Sequence, residues 1–206
     1  MLKRQHFYWV EKIYTDAVIR MLPAIAKTGI TPNQVTILNI LNGLLILLLI
    51  GQQHYIPAAL LIQLYLVLDI LDGNLARYRQ LSSRLGAILD NMGDRFFYNA
   101  VIVVIGIATK TDWMWIGFFL LAHNLHAALA TYYIVPRIRK MEDFKRFAVK
   151  QWLMDRGYIL GMDLSSQDLI MSVLLVTPWR TTIVPIVAWL YLLDLVFRLI
   201  ELWRNR

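Results

Sequence analysis

The sequence predicts an all-α, polytopic membrane protein. Of its 206 residues, 58% are hydrophobic and only 17% charged, too apolar for an ordinary soluble domain. The apolar residues gather into six long runs, most of them near the roughly 20 residues needed to cross a bilayer. Lys and Arg are concentrated in alternate connections between them. There is no cysteine, so disulfides and thiolate metal sites are excluded.

Residues 1–30 form the first unit. Lys3, Arg4, Glu11, Lys12, Asp16 and Arg20 interrupt every apolar run, so no cleavable signal is expected. Val10, Ile13, Tyr14, Ala17, Val18, Met21, Leu22 and Ile25 recur at helical spacing with charges opposite, predicting an amphipathic helix in the membrane interface. Phe7, Tyr8 and Trp9 are its expected headgroup anchors. Residues 31–206 form the second unit, a six-span helical domain.

The first span starts at a defined cap. Thr31 is a natural N-cap, Pro32 suits the first turn, and Gln34 completes a capping box. The spans are placed at Val35–Gly51, Tyr55–Leu75, Leu85–Ala108, Trp113–Val135, Asp168–Thr177 extended at one or both ends, and Thr182–Trp203. Asn39 and Asn42 in the first span, and His123 and His126 in the fourth, are expected to hydrogen-bond inside the bundle. Ser165-x-x-Asp168 resembles a capping box for the fifth. Asp194, in the sixth span, has no evident partner.

Orientation follows from the basic residues. Lys and Arg crowd the N-terminal segment, the connections after the second and fourth spans, and the C-terminus, whereas the opposite side carries only Lys110 and Arg180. Both termini are therefore expected in the cytoplasm, in the cell membrane. The net charge of +7 lies beside apolar spans and not on a polar domain. Anionic lipid headgroups and phosphorylated substrates, and not nucleic acid, are the expected partners. Lys145, Arg146 and Lys150 belong to this lipid-facing basic surface.

Four carboxylates stand inside the second and third spans. Asp69, Asp72, Gly73 and Ala76 fall on one helical stripe, while Gly86, Asp90 and Asp94 repeat every four residues on another. A short turn from Arg77 to Arg84 would face the stripes together. Four acids in one cleft repel and are desolvated, at a cost of several kcal/mol unless a cation joins them. Oxygen ligands of this kind suit Mg²⁺, Mn²⁺ or Ca²⁺, and paired metals are a common device of phosphoryl chemistry. The small residues on the stripes leave room for a bulky ligand such as a nucleotide. The cleft lies at the cytoplasmic end of its spans.

The pattern D-x2-D-G-x2-A-R-x8-G-x3-D-x3-D, intact from Asp69 to Asp94, resembles the signature of the CDP-alcohol phosphatidyltransferases. The resemblance implies a membrane enzyme that moves a substituted phosphate from a CDP-linked lipid donor to an alcohol and releases CMP. It implies that Asp69, Asp72, Asp90 and Asp94 hold a pair of Mg²⁺ or Mn²⁺ ions, with Asp94 also the general base. By the same resemblance, Pro32, Asn33, Gln34, Gly73, Ala76, Arg77, Ser83 and Gly86 surround the CDP portion, and the protein is a homodimer. The basic loop points to Arg137 and Arg139 as contacts for a phosphorylated polyol acceptor such as inositol phosphate or glycerol phosphate. Arg95 is placed to pair with Asp94 or with another of the acids. Two other readings use the same acids: a divalent-cation transporter, and a phosphotransferase acting on a lipid diphosphate without cytidine.

Overall fold

The computed structural model describes residues 6–81, 84–141 and 143–205. The first helix, α1 (Trp9–Ala26), follows a two-residue strand, β1 (Phe7–Tyr8). Helices α2 (Pro32–Gly51), α3 (Tyr55–Tyr78) and α4 (Arg84–Ala108) pack around one another. Helix α5 (Trp113–Leu129) continues through a π-helical turn, Ala130–Ile134, into α6 (Val135–Ile138). The wider turn precedes Pro136, whose missing N–H and ring an unbroken α-helix would not accommodate. Helix α7 (Ala148–Met154), strand β2 (Tyr158–Ile159), α8 (Leu164–Leu175), a 3₁₀ turn (Pro178–Thr182) and α9 (Ile183–Arg204) complete the chain. The two short strands pair in parallel, Phe7 with Tyr158 and Tyr8 with Ile159.

This is a multi-pass membrane protein. Four helical segments are long and apolar enough to cross a bilayer: Pro32–Gly51, Tyr55–Tyr78, Trp113–Ile138 and Pro178–Arg204. The other two expected spans differ for separate reasons. Helix α4 has 25 residues, but its first half carries Asp90, Asp94 and Arg95. Helix α8 has 12 residues, about 18 Å at 1.5 Å per residue, which is too short to cross alone.

Helix α1 departs from the expected pattern. Thr15, Val18 and Leu22 are buried, and Val18 and Leu22 join Val35, Leu68, Leu71 and Leu75 in a cluster against α2 and α3. Ile13 and Met21, expected on that apolar face, are exposed instead, as is Trp9. The apolar stripe is therefore divided between a protein-facing and an outward-facing side. At the far end of α1 the Arg79 guanidinium donates to the carbonyls of Ile30 (2.6 Å) and Ala26, binding the α1–α2 connection to the end of α3.

The main core joins α2, α3, α4, α5, α8 and α9 through buried aliphatic residues and the ring cluster of Tyr65, Phe97 and Tyr98. Gly106 allows the closest approach in this core: a Cβ there would meet the Ile116 side chain at 2.6 Å. Asn42 Nδ2 donates to Leu61 O at 3.0 Å, an interhelical bond as expected.

A cluster near the end of α9 is ionic. Asp194, buried in α9, accepts from Arg198 Nε at 2.6 Å and lies 2.8 Å from His126 Nε2. Arg198 also donates to the Tyr8 hydroxyl, and Lys150 to Glu201. Lys150 thus faces inward at 9% exposure, which removes it from the expected lipid-facing surface. His126 is committed to Asp194, while His123 stacks on Phe119 with ring centroids 5.2 Å apart. Asp194→Asn leaves Arg198 and Lys150 as under-compensated buried cations, so a loss of about 3–5 kcal/mol is expected, read as a lower unfolding temperature in detergent.

Helix α8 is capped differently from expectation. Asp163 is its N-cap, accepting from Ser166 N at 3.1 Å. Ser165 and Asp168 are buried, and the Asp168 carboxylate accepts from Tyr98 Oη at 2.9 Å. Asp168 is therefore a core group and not a cap partner.

Candidate active site

The capping box starts α2 as expected. Gln34 N donates to Thr31 Oγ1 and Thr31 N donates to Gln34 Oε1 at 2.9 Å. This fixes the first turn of α2 beside the second half of α3. There Thr36 Oγ1 donates to Asp72 Oδ2 at 2.8 Å, tying the start of one helix to the acid cluster on the other.

The two acid stripes do face each other. Asp69, Asp72 and Asp90 each present one carboxylate oxygen within 4.8 Å of the other two. None of them, nor Asp94, forms an ion pair with a basic residue among the described residues. Three converging carboxylates without a direct ion pair are a poor structural device and a good fit to a hard divalent cation. Asp94, one turn further along α4, accepts from Tyr65 Oη at 2.9 Å. Tyr65 stands one turn before Asp69 on α3, so the hydroxyl that orients Asp94 rises from the same helix as two of the clustered acids.

A cavity of about 190 Å³ adjoins the acids. Its walls include Pro32, Asn33, Gly73, Ala76, Arg77 and Gly86 from the expected nucleotide set, together with Asp72 and Asp90. Gln34 is not among them, its side chain being held by Thr31. Ser83 lies outside the described residues. Thr36, Leu81 and Ala87 line the cavity without having been expected there. The guanidinium of Arg77 folds back toward Gly73, where an added Cβ would meet Nη1 at 3.4 Å. Ala76→Leu would fill part of this space, so a steric cost of about 1–3 kcal/mol to any ligand bound there is expected. Nucleotide titration of the variant checks this.

The remaining expected site residues lie elsewhere. Arg137 and Arg139 are exposed, and neither lines the cavity. Arg137 lies 3.6 Å over the Tyr133 ring. Arg95 is exposed and makes no ion pair with Asp94.

A family model described as CDP-alcohol phosphatidyltransferase matches residues 29–203. The chain belongs to this family. The matched region begins where α1 has ended and includes the whole acid cluster. Among CDP-alcohol phosphatidyltransferase relatives, an archaetidylinositol phosphate synthase of Pyrococcus horikoshii is 34% identical over 94 residues, 46% of this chain and 50% of that protein. A bifunctional IPC transferase and DIPP synthase of Thermococcus kodakarensis is 34% identical over 94 residues, 45% of this chain and 21% of that protein. The chain thus spans half or less of the length of these curated relatives. The fold is shared with the phosphatidylinositol phosphate synthase of Mycobacterium tuberculosis. Its complex with manganese and citrate aligns with a TM-score of 0.60 at 20% identity, covering 90% of this chain and 88% of that one. Its CDP-DAG-bound form aligns with a TM-score of 0.52 at 20% identity, covering 94% and 92%.

Proposed function

We propose that this family member transfers a substituted phosphate group from a CDP-linked lipid donor to an alcohol, releasing CMP. The observation that carries the reading is the adjacency of the Asp69, Asp72 and Asp90 oxygens to a cavity walled by small residues and one arginine. Such a cavity suits a nucleotide whose pyrophosphate meets the acids. A Mg²⁺ or Mn²⁺ pair held by Asp69, Asp72, Asp90 and Asp94 would supply charge neutralisation for the pyrophosphate. Pro32, Asn33, Gly73, Ala76 and Gly86 would seat the nucleoside, and Arg77 a phosphate. Ser83 and Gln34 belong to the same proposed nucleotide environment.

Asp94 acts on the acceptor. Its carboxylate, oriented by Tyr65, takes the proton of the acceptor hydroxyl as that oxygen bonds to phosphorus. The phosphorus–oxygen bond to CMP breaks, and CMP leaves with the electron pair. We further propose a polyol phosphate acceptor, inositol phosphate or glycerol phosphate. The naming of the archaeal relative supports it, and Arg137 and Arg139 are its proposed contacts.

The finer architecture belongs to the same proposal. Residues 1–30 form an interfacial unit, supported by the outward Trp9, Ile13 and Met21, and residues 31–206 the catalytic unit. Six crossings, with α4 and α8 included, place both termini and the cleft on the cytoplasmic side of the cell membrane, in a homodimer.

The deciding assay is CMP release by the purified protein from CDP-diacylglycerol with Mg²⁺ or Mn²⁺, across a panel of alcohols and polyol phosphates. CMP formed with one acceptor supports the reading. Divalent-cation uptake by proteoliposomes, unaffected by CMP and without any CMP release, would overturn it in favour of a transporter.

A further inference from the structure

Helix α7 is inside out for a helix surrounded by water. Its one cation, Lys150, is 9% exposed and donates to Glu201 Oε2 at 3.3 Å, whereas Val149 and Trp152 are 63% and 54% exposed. A helix packed on a bundle and facing water shows the opposite pattern, with apolar residues inward and lysine outward. Val149 and Trp152 share the outward face by helical spacing, and Arg156 follows just past the end of the helix. The Arg156 guanidinium lies 3.8 Å over the Trp152 ring, and Nη1 donates to Trp152 O at 3.0 Å. Leu160, 46% exposed, continues the apolar surface beyond β2.

This face is held in place. Lys145 N donates to Asn205 Oδ1 at 2.8 Å, Phe147 N to Glu201 Oε1 at 2.9 Å, and Phe7 N to Gly157 O at 3.1 Å. The apolar surface is therefore presented outward beside the last turns of α9, a helix apolar enough to span the bilayer. An outward tryptophan with an arginine folded over it is the arrangement found where protein meets the headgroup layer.

We propose that the outward face of α7 is a membrane-interface anchor, its partner the boundary between headgroups and acyl chains of the bilayer. Arg156 favours anionic lipid by charge complementarity. The native chain has no cysteine, so a single cysteine introduced as Trp152→Cys, or separately as Val149→Cys, takes one spin label. Both positions are exposed, and Leu45→Cys, on the exposed side of α2, serves as the bilayer reference. In vesicles of phosphatidylcholine with phosphatidylglycerol, relaxation by oxygen is expected to exceed relaxation by a water-soluble nickel chelate at both α7 positions, as at 45. Nickel access exceeding oxygen access at either α7 position would overturn the anchor. Dipolar broadening lost on dilution with unlabelled protein would also overturn it, by showing that the face meets a second copy.

Discussion

Replacing Asp94 by asparagine is expected to lower the rate of CMP release by about two to four orders of magnitude, the usual contribution of a general base. Asparagine has nearly the shape of aspartate and still accepts from the Tyr65 hydroxyl, so the local packing is kept. What it loses is the capacity to take a proton and one of the four charges proposed for the metal pair, of which Asp69, Asp72 and Asp90 keep three. Donor binding, measured as metal-dependent CDP affinity by calorimetry, should therefore change far less than turnover. A variant whose turnover at saturating donor stays within tenfold of the parent would remove Asp94 from the role of base. Tyr65→Phe should give a smaller loss, because it removes the hydrogen bond that orients the carboxylate and not the carboxylate itself.

The second large effect concerns the acids without a direct ion pair. Chelation by EDTA is expected to abolish turnover, and Mn²⁺ or Mg²⁺ to restore it. Thr36→Val, which removes the hydroxyl holding Asp72, is expected to weaken the restoring metal by about 10–100-fold, as loss of an orienting partner commonly does. Asp90→Asn has a further consequence that separates ligation from simple structure. It deletes one of three mutually repelling charges, so the metal-free protein should unfold at a higher temperature than the parent. The rise in unfolding temperature on adding metal should shrink or vanish. A variant destabilised without metal, and still stabilised by metal as the parent is, would count against the cation site.

The acid motif was legible because it is local. Helical spacing places Asp69 and Asp72 on one stripe and Asp90 and Asp94 on another, and only the turn between the stripes had to be supposed. The capping box at Thr31 and Gln34 was legible for the same reason. The hydroxyls that orient the acids were not. Thr36 lies 36 residues from Asp72, and Tyr65 lies 29 from Asp94; each pairing depends on how α2, α3 and α4 pack. Arg77 and Arg79 look alike in the sequence, yet one lines the cavity while the other clamps backbone carbonyls of the α1–α2 connection. Helix ends were also weakly marked. The turns after α2, α3 and α4 place Gln53, Gln80 and Lys110 at positive φ, where glycine would have announced the stop. At α8 the cap was expected at Ser165, but the helix starts two residues earlier than that box implies, and Asp163 fills the role.

Every residue lining the cavity falls between Pro32 and Asp90, and the four acids end at Asp94. Helices α5 to α9 add nothing to that wall. The chain is therefore modular along its length. One contiguous stretch carries the cavity and the acid cluster, and the remaining helices close the bundle around it. A substitution in the later half therefore reaches the cavity only through packing, and not by altering its wall.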